Sequence, residues 1–188
     1  MQVPGLLQEY KGCLATRKFD EAEKINKEIN DFITNEINTT GLELRSFAYD
    51  LLDKPDRFEE SVPVYFAAAS LFKKKGGDLW LKGNLVSLRG MSRCVGGYGW
   101  RGMHGANMRM IERDVTMKDV VKRHVIPLMH DIKNQMLEVT SAREEDKRRC
   151  MSWVFRYIAE SEELVGDDVA AHKAWEESRL WEGGGGGK

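Results

Sequence analysis

Apolar side chains return every three or four residues through most of this chain, and each such stretch is bracketed by helix start and stop signals. That pattern buries one face only when it is wound as α-helix. Leu6, Leu7, Tyr10, Cys13 and Leu14 form the first stripe, which breaks near Lys18 and Phe19. Asp20 then stands three residues before Glu23 as a capping box, ahead of Ala22, Ile25, Ile29, Phe32, Ile33 and Ile37. Thr40 and Glu43 repeat the box before Leu44, Phe47, Ala48, Leu51 and Leu52, and Pro55 forbids continuation.

Ser61 starts a fourth helix with Pro63 in its first turn, where a missing amide costs nothing. It is apolar almost all round through Phe72, until Lys73, Lys74, Lys75 and Gly76 supply a cationic end and a stop. It is expected to be the most buried element. Thr116 with Asp119 opens a helix through Leu137 that Pro127 should kink. Ser141 with Glu144 opens the next, with Cys150, Trp153, Val154, Tyr157 and Ile158 inward and the pairs Glu144–Arg148 and Glu145–Arg149 outward. A last amphipath carries Val169, Ala170, Ala174, Trp175 and Leu180 ahead of Trp181.

These stripes and their short connections give an all-α fold, an up-and-down helical bundle of about four core helices plus peripheral helices, with a glycine-rich basic insertion. A single helical domain is expected over residues 1–182, containing a glycine-rich basic and aromatic segment at 76–108, with a flexible glycine tail at 183–188.

Between Lys73 and Arg109 the composition changes. Gly76, Gly77, Gly83, Gly90, Gly96, Gly97, Gly99, Gly102 and Gly105 crowd beside Trp80, Tyr98 and Trp100. Eight cations face Asp78 alone there, a local balance of +7, which leaves −8 on the rest of a chain whose formal net charge is −1. Charge is strongly polarised along a nearly neutral chain, so any preference for an anionic partner comes from distribution and not from a global field. Lys82, Arg89, Arg93, Tyr98, Trp100 and Arg101 are the expected binding residues: cations neutralise phosphates or carboxylates, rings stack or anchor, and glycine is read as flexible backbone able to approach a ligand closely.

Other motifs lack their context. Gly97, Gly99 and Gly102 satisfy G-x-G-x-x-G without the strand and βαβ frame that a dinucleotide site needs. Ser70 and Lys73 satisfy S-x-x-K on an apolar helix without companion motifs. His124 and His130 are six residues apart, the wrong spacing for two ligands on one helix face, and His124 reads as a hydrogen-bonded core residue. Asp168 and His172 read as an exposed pair. No metal site, cofactor, catalytic residue or enzymatic activity is therefore expected. Cys13, Cys94 and Cys150 lack CxxC spacing and imply free thiols in a reducing intracellular or organellar compartment; the first residues carry no targeting peptide, and no run nears the roughly 20 apolar residues of a membrane span.

The expected function is a non-catalytic structural or binding subunit of a larger assembly, docking other protein subunits through the basic glycine and aromatic segment. The alternative is a structural protein that binds single-stranded RNA, as a nucleocapsid or ribonucleoprotein component does. Self-association is a third route, since the acidic group Glu160, Glu162, Glu163, Asp167 and Asp168 could complement the basic segment of another copy.

Overall fold

The structure is a computed structural model that describes residues 2–54, 56–100 and 115–183, and no strand occurs among them. α1 (Gln2–Ala15) packs on α2 (Phe19–Glu36), and α3 (Gly41–Leu52) leads through a 3-10 turn at Phe58–Glu60 into α4 (Ser61–Lys75) and α5 (Gly77–Trp100). The later elements are α6 (Val115–Val120), a π-helical turn (Val121–Val125), α7 (Ile126–Leu137), α8 (Glu144–Val165) and α9 (Asp168–Glu182). The all-α bundle expected from the stripes is what forms.

α4 is the central helix. Val62, Val64, Tyr65, Ala67, Ala68, Ala69 and Phe72 are all buried, against α2, α3, α5 and α7. It starts at Ser61, and Gly76 ends it with a positive φ of 69°, which a Cβ would disfavour. α8 bridges α5 to α9 on the other side.

The largest difference from expectation lies in the glycine-rich segment, whose first two thirds, Gly77–Trp100, are continuous helix. A Cβ placed on Gly83 would stand 2.1 Å from Cγ of Phe72, and one on Gly90 would stand 2.2 Å from Cζ of Tyr65. Tyr65 and Phe72 are seven residues apart on α4, as Gly83 and Gly90 are on α5, and they pair in reverse order. The two helices therefore run antiparallel, each ring of α4 seated in a notch of α5 that only glycine leaves open. These glycines serve close helix packing rather than loose backbone. The segment's Trp80 also turns to the core, where its indole Nε1 and the carbonyl of Ala69 both meet the buried Asn84 amide in its better-satisfied orientation, at 2.8 and 3.2 Å.

Several local expectations are corrected. Asp20 does not cap α2: Arg17 takes a left-handed φ of 59° and the Lys18 amide reaches back to the Cys13 carbonyl, so the chain re-enters helix at Phe19 with Lys18 in the N-cap position. Ser141 does not cap α8, because the helix begins at Glu144 after Arg143, whose guanidinium pairs with Asp146 at 2.7 Å. Neither Glu144–Arg148 nor Glu145–Arg149 is an ion pair among the described residues. Phe47, Trp153, Val169 and Leu180, expected inside, are exposed. The buried face of α9 is the narrow row Ala171, Ala174 and Ser178, whose small side chains draw it close to α8 and leave Val169 and Leu180 outside. The kink expected at Pro127 takes the form of the π turn before it: the Ile126 amide bonds to the Val121 carbonyl, five residues back, which loosens the ladder where the proline ring would crowd it.

Candidate functional site

Lys82, Arg89 and Arg93 lie on one face of α5, seven and four residues apart, and all three are exposed. The glycines at 83 and 90 lie one residue further along, about 100° round the helix and turned into α4, so the same heptad spacing that packs the helix inward presents its cations outward. Arg101 and the side chains of Tyr98 and Trp100 lie outside the described residues.

The structure adds partners that the sequence reading did not pick out. A cleft of about 430 Å³ opens between α3 and α5, lined by Arg45, Tyr49 and Asp50 from α3, Tyr65 from α4, and Arg89 and Arg93 from α5. Its floor exists because Gly90 has no side chain: the Tyr65 ring lies where a larger residue would stand. Burial pushes the Tyr65 hydroxyl up to about 12, against the opposing pull of Arg93 and Arg45, so it is a neutral hydrogen-bond donor in the cleft at ordinary pH. Arg93 stacks over Tyr49, its guanidinium carbon 5.7 Å from the ring centroid.

Three guanidinium groups thus converge on one cleft beside a single carboxylate, Asp50. None of Arg45, Lys82, Arg89 and Arg93 forms an ion pair among the described residues, although acidic partners hold Arg17, Arg57, Arg143 and Arg156 elsewhere. The positive face continues toward α8, where the Tyr157 hydroxyl, raised chiefly by burial, feels the opposing pull of Arg89 and Arg93. Beyond it Arg156 sits between two indoles, 5.0 Å from the Trp153 centroid and 5.8 Å from that of Trp175, and pairs with Glu160 at 3.1 Å. Trp153 is exposed because it belongs to this surface stack rather than to the core.

The other titratable groups among the described residues lie apart from this cleft. His124 is buried with Nε2 2.9 Å from the Tyr10 hydroxyl, and burial lowers its pKa to about 4. His172 pairs with Glu176 at 3.3 Å and not with Asp168. The three cysteines are buried thiols, none of them in a disulfide. Among the described residues no group of three or more His, Cys, Asp or Glu could hold a metal ion, and no helix is long and apolar enough to cross a membrane. Comparison of the chain with family models, with curated proteins and with solved structures finds no match.

Proposed function

We propose that this chain is a non-catalytic binding subunit of a larger assembly and that its α3–α5 face docks an acidic segment of a protein partner. One observation carries the reading: Arg45, Arg89 and Arg93 line a common cleft without an ion pair among the described residues. Like charges held together carry a standing electrostatic cost, which a carboxylate entering the cleft relieves by charge-assisted and bidentate hydrogen bonds. The rings beside these cations favour protein over RNA. Tyr49 already has Arg93 on its face, Trp153 has Arg156, and Tyr65 is buried, so among the described residues few open ring faces are offered for bases to stack on. Arginine beside tyrosine, as Arg93 is beside Tyr49, is a pairing enriched in protein hot spots.

Anisotropy titrations with a labelled glutamate-rich peptide and with labelled single-stranded RNA test this directly. The peptide should bind in a salt-dependent manner, and Arg89→Glu with Arg93→Glu should weaken it roughly 100-fold, about 1.4 kcal/mol for each lost contact. Tighter binding of RNA than of peptide, or a peptide affinity indifferent to the two substitutions, overturns the reading.

A further inference from the structure

A second cleft, of about 560 Å³, lies between α1 and α2 and is the electrostatic opposite of the first. It is lined by Glu9, Glu28, Asp31 and Glu36 around the apolar Leu6 and Phe32. All four carboxylates are exposed, and none is in an ion pair among the described residues. The α3–α5 face presents the matching relief. Along α3, Leu42, Arg45 and Tyr49 follow one another at three- and four-residue steps, with Leu42 57% and Tyr49 44% exposed, so the helix offers a ridge of two apolar side chains flanking a cation. A helical ridge of this kind fits a groove between two helices.

We infer that the acidic segment received by the α3–α5 face is the α1–α2 cleft of a second copy of this chain, so that copies associate head to tail. The inference rests on the docking reading above and names its partner. Charge separation within a chain of net charge −1 supports it: a nearly neutral molecule carrying one predominantly basic face and one predominantly acidic groove is complementary to itself. Leu42 and Tyr49 would enter against Leu6 and Phe32, and Arg45, Arg89 and Arg93 would face Glu9, Glu28, Asp31 and Glu36. Like faces repel, which excludes a two-fold arrangement through either surface alone. The contact is heterologous and leaves one face of each kind unsatisfied at the ends, so it propagates until a ring closes.

The test is light-scattering mass of the purified, nuclease-treated full chain across concentration, at about 0.05 M and about 1 M salt, where the screening length falls from well over 10 Å to about 3 Å. The wild type should exceed its 21.5 kDa monomer mass at low salt, increasingly with concentration, and return to it at high salt. Two surface variants, Arg45→Glu with Arg89→Glu and Glu28→Lys with Asp31→Lys, should each be monomeric with unchanged melting. Mixed in equal amounts they should give a species of twice the monomer mass, because each retains the one face the other lacks. Assembly of either variant alone as in the wild type, loss of assembly on nuclease treatment, or a mixture that stays monomeric overturns the inference. A wild type that is monomeric at every concentration yet binds the glutamate-rich peptide through Arg89 and Arg93 overturns the self-association and leaves the docking reading standing; failure of both measurements removes both.

Discussion

Replacing Gly83 by alanine separates packing glycine from flexible glycine by the sign of the effect. In the middle of a helix, alanine is favoured over glycine by about 1 kcal/mol because it loses less backbone entropy. Gly12, exposed in α1 with nothing within 4 Å of an added Cβ, should show that gain in full. At Gly83 the same methyl meets Phe72 carbons at 2.1, 2.2 and 2.5 Å, where ordinary contact begins at 3.4 Å, so helix or ring must retreat by about 1.3 Å. Phe72 cannot slide aside, since its far edge is already close to Gly41, where an added Cβ would lie 2.9 Å from the ring. Overpacking a tight core costs about 1–3 kcal/mol, and an overlap this deep lies at the upper end, about 2–3 kcal/mol, which against the propensity gain leaves a net loss of about 1–2 kcal/mol. At this chain length each kcal/mol moves Tm by roughly 2–4 °C. Urea titrations followed by far-UV circular dichroism should place Gly83→Ala below the wild type and Gly12→Ala above it with the same slope. Adding Phe72→Leu to Gly83→Ala should recover part of the loss, a coupling that a double-mutant cycle measures. If Gly83→Ala stabilises as much as Gly12→Ala, the account of α5 as a notched packing helix is refuted.

Stability should also depend on His124, which burial holds neutral with a pKa of about 4 against an ordinary 6.5. Below pH about 6.5 the unfolded chain takes up a proton that the folded protein declines, so stability rises with pH between about 4 and 6.5. Acidification across that window removes about 3 kcal/mol. In His124→Gln this part of the pH dependence of the urea midpoint should vanish; an undiminished slope contradicts the assignment. Thr40→Ala removes the hydroxyl that accepts from the Glu43 amide at 3.2 Å, leaving only the backbone half of the capping box that starts α3, and should cost about 1 kcal/mol in the same titration. Arg57→Ala leaves the buried Glu60 carboxylate without the guanidinium that approaches it at 2.6 Å, and should cost about 2 kcal/mol, with Arg57→Lys recovering only part.

The helices were legible because the apolar stripes are long and their ends well marked at Thr40 and Gly76. What escaped the reading was the meaning of glycine. Gly83, Gly90 and Gly97 recur every seven residues, and Tyr65 and Phe72 carry the same interval on the preceding helix. Two matched heptad spacings, one of rings and one of glycines, are the signal of a close antiparallel pair. Composition alone favoured a loop because it counts glycines without asking which face they share. The capping boxes at Asp20 and Ser141 failed for another reason: the local sequence permits them, but the burial of Phe19 and the pairing of Arg143 with Asp146 fix where those helices start.

Of the candidate site, Lys82, Arg89 and Arg93 could be placed on one face from spacing alone, and they are so placed. Arg45, Tyr49 and Tyr65 could not, since nothing in the sequence says that α3 lies beside α5. The acidic groove was likewise invisible: Glu9 and Glu28 come together only when α1 folds onto α2, whereas the acidic run at 160–168 was conspicuous in sequence yet is largely consumed by internal contacts to Arg156, His130, Trp175 and Lys122.

The most direct test is recovery of the native protein with its bound partners, after nuclease treatment, from cells carrying either the wild type or Arg89→Glu with Arg93→Glu. The α3–α5 face as the docking surface predicts that nuclease-resistant protein, whether other subunits or further copies of this chain, accompanies the wild type and is lost from the equally stable variant. Recovery of the same partners with both, or of nucleic acid alone before digestion and nothing after it, would contradict it.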